Sequence, residues 1–321
     1  MYKISVVGAG RVGEAAAQFL AQHQHCEELV LLDVDEGVAV GTALDIQESA
    51  PLFRFDTRIV GGAEGALMAG SDLVIVTAGF PRRPGMSRSD VLETNVPIID
   101  MVVANVLRHA PDATLLVVTN PVDVLTWRAW ERSGFPRHRV IGQAGVLDAA
   151  RMASFVALET GFSAQDVCAM VLGGHGDTMV PLPRYTSVGG VPITHFMAPE
   201  TIERIVQRTR QGGAEILALR QKSSAYDSPA AAIATMVDAV RHDRKRLLPT
   251  VCVLEGEYGE HGIAMGVPAV LGASGMQSIV DLPLEADERE LFVRSAERVR
   301  EDIARMAALD ACAPRNAARG M

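Results

Sequence analysis

Ile4-Ser5-Val6-Val7-Gly8-Ala9-Gly10-Arg11-Val12-Gly13 is the stretch that decides the fold of this chain. Its first four residues read as a strand covered on both faces, because the run is apolar without regular polar alternation. Arg11 to Gln22 then carries apolar residues at helical spacing. Between strand and helix lies G-x-G-x-x-G. The first glycine permits a tight turn, the second lets backbone approach a pyrophosphate, and the third allows the helix to pack closely on the strand. A diphosphate in that turn would meet the N–H groups and the positive end of the helix dipole. Alone the pattern is common. Asp33 strengthens it, standing 20 residues beyond Gly13 at the end of the next apolar run, Leu29-Val30-Leu31-Leu32. An acid there accepts hydrogen bonds from ribose hydroxyls and repels a 2′-phosphate, which favours NAD over NADP.

Outward from this unit the same alternation continues. Val38 to Ile46 reads as a helix, Arg58-Ile59-Val60 as a weak strand and Leu73-Val74-Ile75-Val76 as a strong one. A helix is expected from about Ser87 to His109, and Leu115-Leu116-Val117-Val118 closes the strand series before the turn at Asn120-Pro121. Strand and helix in alternation predict an α/β fold, a Rossmann-type doubly wound parallel sheet. After about residue 145 glycines and prolines divide shorter segments, Val251 to Leu282 resembles antiparallel strands, and long helical stretches run from Pro199 to Gln221 and from Leu284 to about Leu309. These features predict a C-terminal α+β catalytic domain. The expected division is a dinucleotide-binding domain over 1–143, a substrate domain over 144–312 and a frayed tail over 313–321.

The 321 residues suffice for two cores, with 48% hydrophobic and 21% charged residues and a net charge of -9. An acidic chain without clustered Lys and Arg argues against a nucleic-acid partner. No apolar stretch reaches the roughly 20 residues of a membrane helix, and no leader precedes the first strand, so a cytoplasmic protein is expected. Cys26, Cys168, Cys252 and Cys312 are scattered without metal-ligand spacing, which predicts reduced thiols and no metal.

Asp148, Arg151 and His175 carry the chemistry. Asp148 and Arg151 stand one turn apart in a helical stretch, and His175 follows in Gly173-Gly174-His175-Gly176-Asp177. A carboxylate that orients an imidazole, beside a guanidinium whose fork clamps a carboxylate, equips a site to oxidise a 2-hydroxy acid or reduce a 2-oxo acid. The blander readings are an exposed ion pair for Asp148 and Arg151, and a solvated or core histidine for His175 and for the seven others.

The chain resembles the lactate/malate dehydrogenase superfamily over nearly its whole length, most closely the lactate-dehydrogenase-like malate dehydrogenases. VVGAGRVGEAAA from Val6, TAGFPRRPGMSRSDVLETN from Thr77, VVTNPVD from Val117, GQAGVLDAAR from Gly142 and GGHGDTMVP from Gly173 carry the resemblance. It implies NAD as cofactor, held by Gly8, Ala9, Gly10, Arg11, Val12, Gly13 and Asp33, with Asn95, Val118, Thr119 and Asn120 nearby. It implies His175 as proton donor and acceptor, tuned by Asp148, and substrate contacts from Arg82, Arg88, Asn120 and Arg151. Arg88 would polarise the substrate carbonyl. The loop Gly79 to Asp90 would close as a lid. Arg82 falls where lactate dehydrogenases have glutamine. With Arg151 on one carboxylate, a second buried cation would be uncompensated on pyruvate, at a cost of about 3–5 kcal/mol. Arg82 therefore favours a dicarboxylate, (S)-malate or oxaloacetate, as in the tricarboxylic acid cycle; Arg83 reads as a solvated neighbour. Relatives of this type form homodimers or homotetramers, and the apolar character of the Val38–Ile46 and Thr201–Leu219 helices is consistent with subunit contacts.

Ser223-Ser224-Ala225-Tyr226-Asp227 departs from the family's glycine-serine-alanine-tyrosine-tyrosine run at Ser223 and Asp227, which bears on pocket shape. Three alternatives stand beside this reading. One is the same chemistry on another 2-oxo acid, one is a metal-dependent NAD glycosidase, and one is a non-catalytic dinucleotide sensor.

Overall fold

A computed structural model of the chain describes residues 1–80, 88–221 and 223–312, and only the backbone of 88, 89 and 309–312. Among these the main sheet has nine strands: β1 (Lys3–Val7), β2 (Glu28–Leu32), β3 (Arg58–Gly62), β4 (Leu73–Val76), β5 (Thr114–Val117), β6 (Val140–Gly142), β7 (Arg246–Glu255), β8 (His261–Gly272) and β9 (Gly275–Ile279). Their order is β9-β8-β7-β6-β5-β4-β1-β2-β3. From β3 to β6 every pairing is parallel, the 3-2-1-4-5-6 order of a dinucleotide-binding sheet. From β6 onward the pairings are antiparallel. The expected α/β class with a C-terminal α+β portion is what the chain adopts.

Strand composition explains the layering. In β2, Leu29 and Leu31 join one core while Val30 and Leu32 join the other. The same split divides Leu73 and Ile75 from Val74 and Val76. Successive side chains point to opposite faces, so a continuous apolar run needs helices on both. On one face lie α1 (Arg11–Gln22) and α2 (Glu36–Glu48). On the other lie α3 (Arg88–His109) and α4 (Val122–Ser133). Farther along, α5 (Gly145–Thr160) packs against α6 (Pro199–Arg220), α7 (Asp227–Arg241) lies against α1, and α8 (Ala286–Cys312) meets β8.

Three elements differ from the sequence reading. The parallel series does not close at Val118, because β6 adds a sixth strand of only three residues, too short to show a period. The helices α4 and α7 had no helix reading. The latter is rich in alanine, and Ala230, Ala234 and Val237 bury a face too weakly apolar to stand out. The junction at Val251 and Gly142 also makes the C-terminal strands an extension of the same sheet. The tail over 313–321 lies outside the described residues.

Candidate active site

The turn after β1 is shaped by close contacts. Gly8 has φ of 107°, and a Cβ there would lie 2.5 Å from the Ala78 nitrogen. A Cβ on Gly13 would lie 1.8 Å from the Gly8 oxygen. Gly10 is different: a Cβ there meets nothing within 4 Å. The protein's own packing does not demand glycine at Gly10, as expected where a ligand's phosphates approach the backbone. Gly10 caps α1 without a side-chain hydrogen bond, so the N–H groups of Arg11, Val12 and Gly13 head a helix that lacks its own anionic cap. Asp33 closes the turn from the side. Its Oδ2 accepts from the Ala9 N–H at 2.7 Å and its Oδ1 from the Asp35 N–H at 3.0 Å, leaving further lone pairs for hydroxyl donors. The donors and carboxylate fit a dinucleotide with a free 2′-hydroxyl.

The neighbouring strand ends complete the crevice. The Thr119 hydroxyl donates to the carbonyls of Val76 and Ala78, at 3.1 and 2.7 Å. Val118 is buried beside it, and Asn120 follows with an exposed side chain. Asn95 is buried and stapled. Its Nδ2 donates to the carbonyls of Phe80 and Asn120, and its Oδ1 accepts from the Phe80 N–H at 2.8 Å. Both of its donors are therefore committed to the protein, which limits direct contact with a cofactor to the remaining lone pair of Oδ1. Asn95 instead anchors the start of the segment containing Arg82 and Arg83, which lie outside the described residues. For Arg88 only the backbone, opening α3, is described.

The chemical end is a chain of charge centred on Asp148, which is 2% exposed. Its Oδ2 lies 2.9 Å from Nδ1 of His175, and its Oδ1 accepts from Nη1 of Arg151 at 3.0 Å. The i,i+3 ion pair on α5 does form, but inside the protein, where the Arg151 side chain is only 12% exposed. Arg151 Nε is buried with no hydrogen-bond partner among the described residues. A guanidinium with a donor uncommitted among the described residues fits a carboxylate ligand. With Nδ1 committed to Asp148, Nε2 is the nitrogen of His175 that can exchange a proton.

Three elements hold the His175 loop. Gly173 and Gly266 of β8 exchange backbone hydrogen bonds at 2.9 and 3.1 Å. Gly174 N–H donates to the hydroxyl of buried Ser295 on α8 at 2.8 Å. The His175 N–H donates to Oδ2 of Asp123, which is fully buried on α4, at 2.9 Å. Burial works against charge on the imidazole. The Asp148 charge and hydrogen bond, helped by Asp123 and opposed by Arg151, outweigh it, and the His175 pKa stands above the ordinary histidine value.

Two contributors escaped the sequence reading. Asp123 sits inside the VVTNPVD motif, where an acid between valines was the available signal. Gly212, mid-helix in α6, is explained by Arg151: a Cβ at Gly212 would come within 3.0 Å of Arg151 Cδ and 3.4 Å of its Nε. At the departing segment, Asp227 accepts from Arg220 at 3.1 Å and ties the end of α6 to the start of α7. Cys26, Cys168 and Cys252 are free thiols.

Residues 2–142 match the family model described as lactate/malate dehydrogenase, NAD binding domain, and residues 145–309 match lactate/malate dehydrogenase, alpha/beta C-terminal domain. The chain belongs to the lactate/malate dehydrogenase family. Within this family it is 65% identical over 306 residues to a malate dehydrogenase of Thioalkalivibrio sulfidiphilus, covering 95% of this chain and 100% of that one. A malate dehydrogenase of Nitrosococcus oceani is 63% identical over 305 residues, covering 95% and 98%. Among solved structures, the malate dehydrogenase from Salinibacter ruber superposes with a TM-score of 0.92 at 42% identity, over 96% of this chain and 99% of that one. A lactate dehydrogenase from Eimeria maxima with NADH and oxamate superposes with a TM-score of 0.93 at 33% identity, over 97% and 95%. Solved structures named for either dehydrogenase thus share this chain's fold.

Proposed function

We propose that the chain catalyses the reversible oxidation of (S)-malate to oxaloacetate with NAD. The observation that carries this reading is the Asp148 carboxylate held between the Nδ1 of His175 and the guanidinium of Arg151 at 2.9 and 3.0 Å. When bound, NAD supplies the acceptor for the hydride that leaves C2 of malate. Arg151 grips the 1-carboxylate and fixes C2 relative to His175. Nε2 of His175 takes the hydroxyl proton in oxidation and returns it to the carbonyl oxygen in reduction. Asp148 accepts the Nδ1–H and stabilises the imidazolium. Arg88 polarises the carbonyl, Arg82 meets the second carboxylate, and Asn120 donates to substrate. Asp33 selects NAD by accepting from the ribose hydroxyls, while the first-turn N–H groups take the pyrophosphate.

Names of the relatives support malate: those at 65% and 63% identity are malate dehydrogenases. Lactate is the second reading, favoured by lactate dehydrogenase structures that match this fold as well as malate dehydrogenase structures do. With a dinucleotide domain over 1–143 and a catalytic domain over 144–312 as the proposed division, the proposed site falls at their junction. No described helix is long and apolar enough to cross a membrane; a cytoplasmic, homo-oligomeric enzyme is part of the proposed reading. Exposed Val38, Leu44, Leu52 and Phe53 on and beside α2 support subunit contact.

NADH absorbance kinetics test the proposal. Oxaloacetate with NADH should turn over without added metal, NADPH should serve worse, and His175→Asn should remove at least about 10³-fold of kcat. Unchanged turnover in His175→Asn, or none with oxaloacetate in the wild type, would refute it.

A further inference from the structure

The opposite end of the sheet carries a second cluster of titratable groups. After α1 the chain presents His23 and His25 just ahead of β2, while α7 brings Asp238 and, one turn later, His242. One ligand atom from each of His25, Asp238 and His242 lies within 4.8 Å of the other two. His25 Nδ1 and His242 Nε2 each stand 3.9 Å from the same oxygen, Oδ1 of Asp238. That is too long for a hydrogen bond. His25 is 8% exposed, and its Nδ1 is buried with no hydrogen-bond partner among the described residues. A buried ring nitrogen left in this state costs free energy unless something else satisfies it.

We propose that His25, Asp238 and His242 form a binding site for a divalent transition metal of the zinc class, joining the α1–β2 connection to α7. Bonds of about 2.0–2.2 Å place tetrahedral ligands about 3.4 Å apart, so a metal would need only small closing movements from the 3.9 Å separations. His242 follows the end of α7 and is half-exposed, which allows that movement and leaves a coordination position for water. Two imidazoles and one carboxylate suit zinc, nickel or copper and suit magnesium or calcium poorly. Arg244 forms an ion pair with the other oxygen of Asp238, its Nε 2.6 Å from Oδ2. It orients the carboxylate so that Oδ1 faces the histidines, as an outer-shell partner does. Its positive charge also opposes a cation and limits affinity. Burial disfavours the imidazolium of His25. Asp238 opposes this effect, while His23, His242 and Arg244 reinforce it; the pKa falls below the ordinary value, and the neutral ring is the ligating form.

The site stands at the amino end of β2, whereas His175 and the glycine turn gather beyond the carboxyl ends of the strands. Binding there should therefore change stability and leave turnover alone. The test is calorimetric titration of the chelator-treated full-length chain with zinc chloride, beside His242→Gln and Asp238→Asn. The wild type should bind one zinc ion at this site, each variant should bind at least about 10-fold more weakly, and magnesium chloride should give no comparable signal. Zinc should raise the thermal midpoint of the wild type and not that of His242→Gln, with NADH-dependent oxaloacetate reduction equal in all three metal-free proteins. No zinc binding by the wild type overturns the proposal. So does equal affinity in His242→Gln, which would place the ion elsewhere, for instance at the exposed thiol of Cys168.

Discussion

Asp148 serves two partners with two oxygens, and this sharing sets the acid–base behaviour of the site. A buried carboxylate facing only Arg151 would be a structural ion pair; facing His175 as well, it fixes the tautomer and the exchanging nitrogen. The raised pKa of His175 has a direct consequence for rate. Malate oxidation needs the neutral ring, so the acid limb of its kcat/KM profile should lie above the ordinary histidine value of about 6.5. Oxaloacetate reduction needs the imidazolium and should persist to correspondingly higher pH. The same shift is a stability term: it is fully present below the unfolded-state pKa and lost as pH rises through the folded one. Asp123→Asn keeps an acceptor for the His175 N–H but removes a charge, and should move the oxidation limb to lower pH. An unmoved limb would show that Asp123 acts only through geometry. The His175–Asp148–Arg151 set was legible because glycine-rich and helical spacing flag it locally. Asp123 was not, because its partner lies 52 positions away.

At the scale of elements, α6 shows how one helix serves a side chain on another. Helix propensity favours alanine over glycine by about 1 kcal/mol in a helix interior, so Gly212 is locally unfavourable unless something requires it. The 3.0 Å approach to Arg151 supplies the requirement. Gly212→Ala should leave the thermal midpoint unchanged or raised, yet increase KM for oxaloacetate by about 10-fold as the guanidinium is displaced. Unchanged KM in a folded variant would remove Gly212 from the account. This packing relation could not be read from sequence, since a mid-helix Gly-Gly pair signals only weak helix. β6 was missed for another reason: three residues hold too little pattern. The glycine turn and Asp33 were legible because strand, turn and helix follow one another without interruption.

At the scale of the whole molecule, one sheet runs from the dinucleotide portion into the C-terminal strands, and the two cores continue along its faces. The predicted fold class followed from the apolar strands, but the bridge between Val251 and Gly142 depends on tertiary pairing that no local pattern encodes. Shared cores predict that both portions unfold in one transition by calorimetry; two resolved transitions would contradict this. Exposed apolar residues on α2 predict a particle larger than the 34.3 kDa chain in light scattering. Leu44→Glu should shift it toward the monomer, and an unchanged mass would move the contact elsewhere. Substrate choice is also a whole-molecule property, because the proposed roles require Arg82 to meet the second carboxylate of a substrate whose first is gripped by Arg151, 69 positions further along the chain. The most direct measurement is kcat/KM with NADH for oxaloacetate and pyruvate, in the wild type and in Arg82→Gln. The wild type should strongly favour oxaloacetate, with the ratio falling by at least about 10²-fold in Arg82→Gln as the second carboxylate loses its partner; an unchanged ratio would contradict the dicarboxylate assignment.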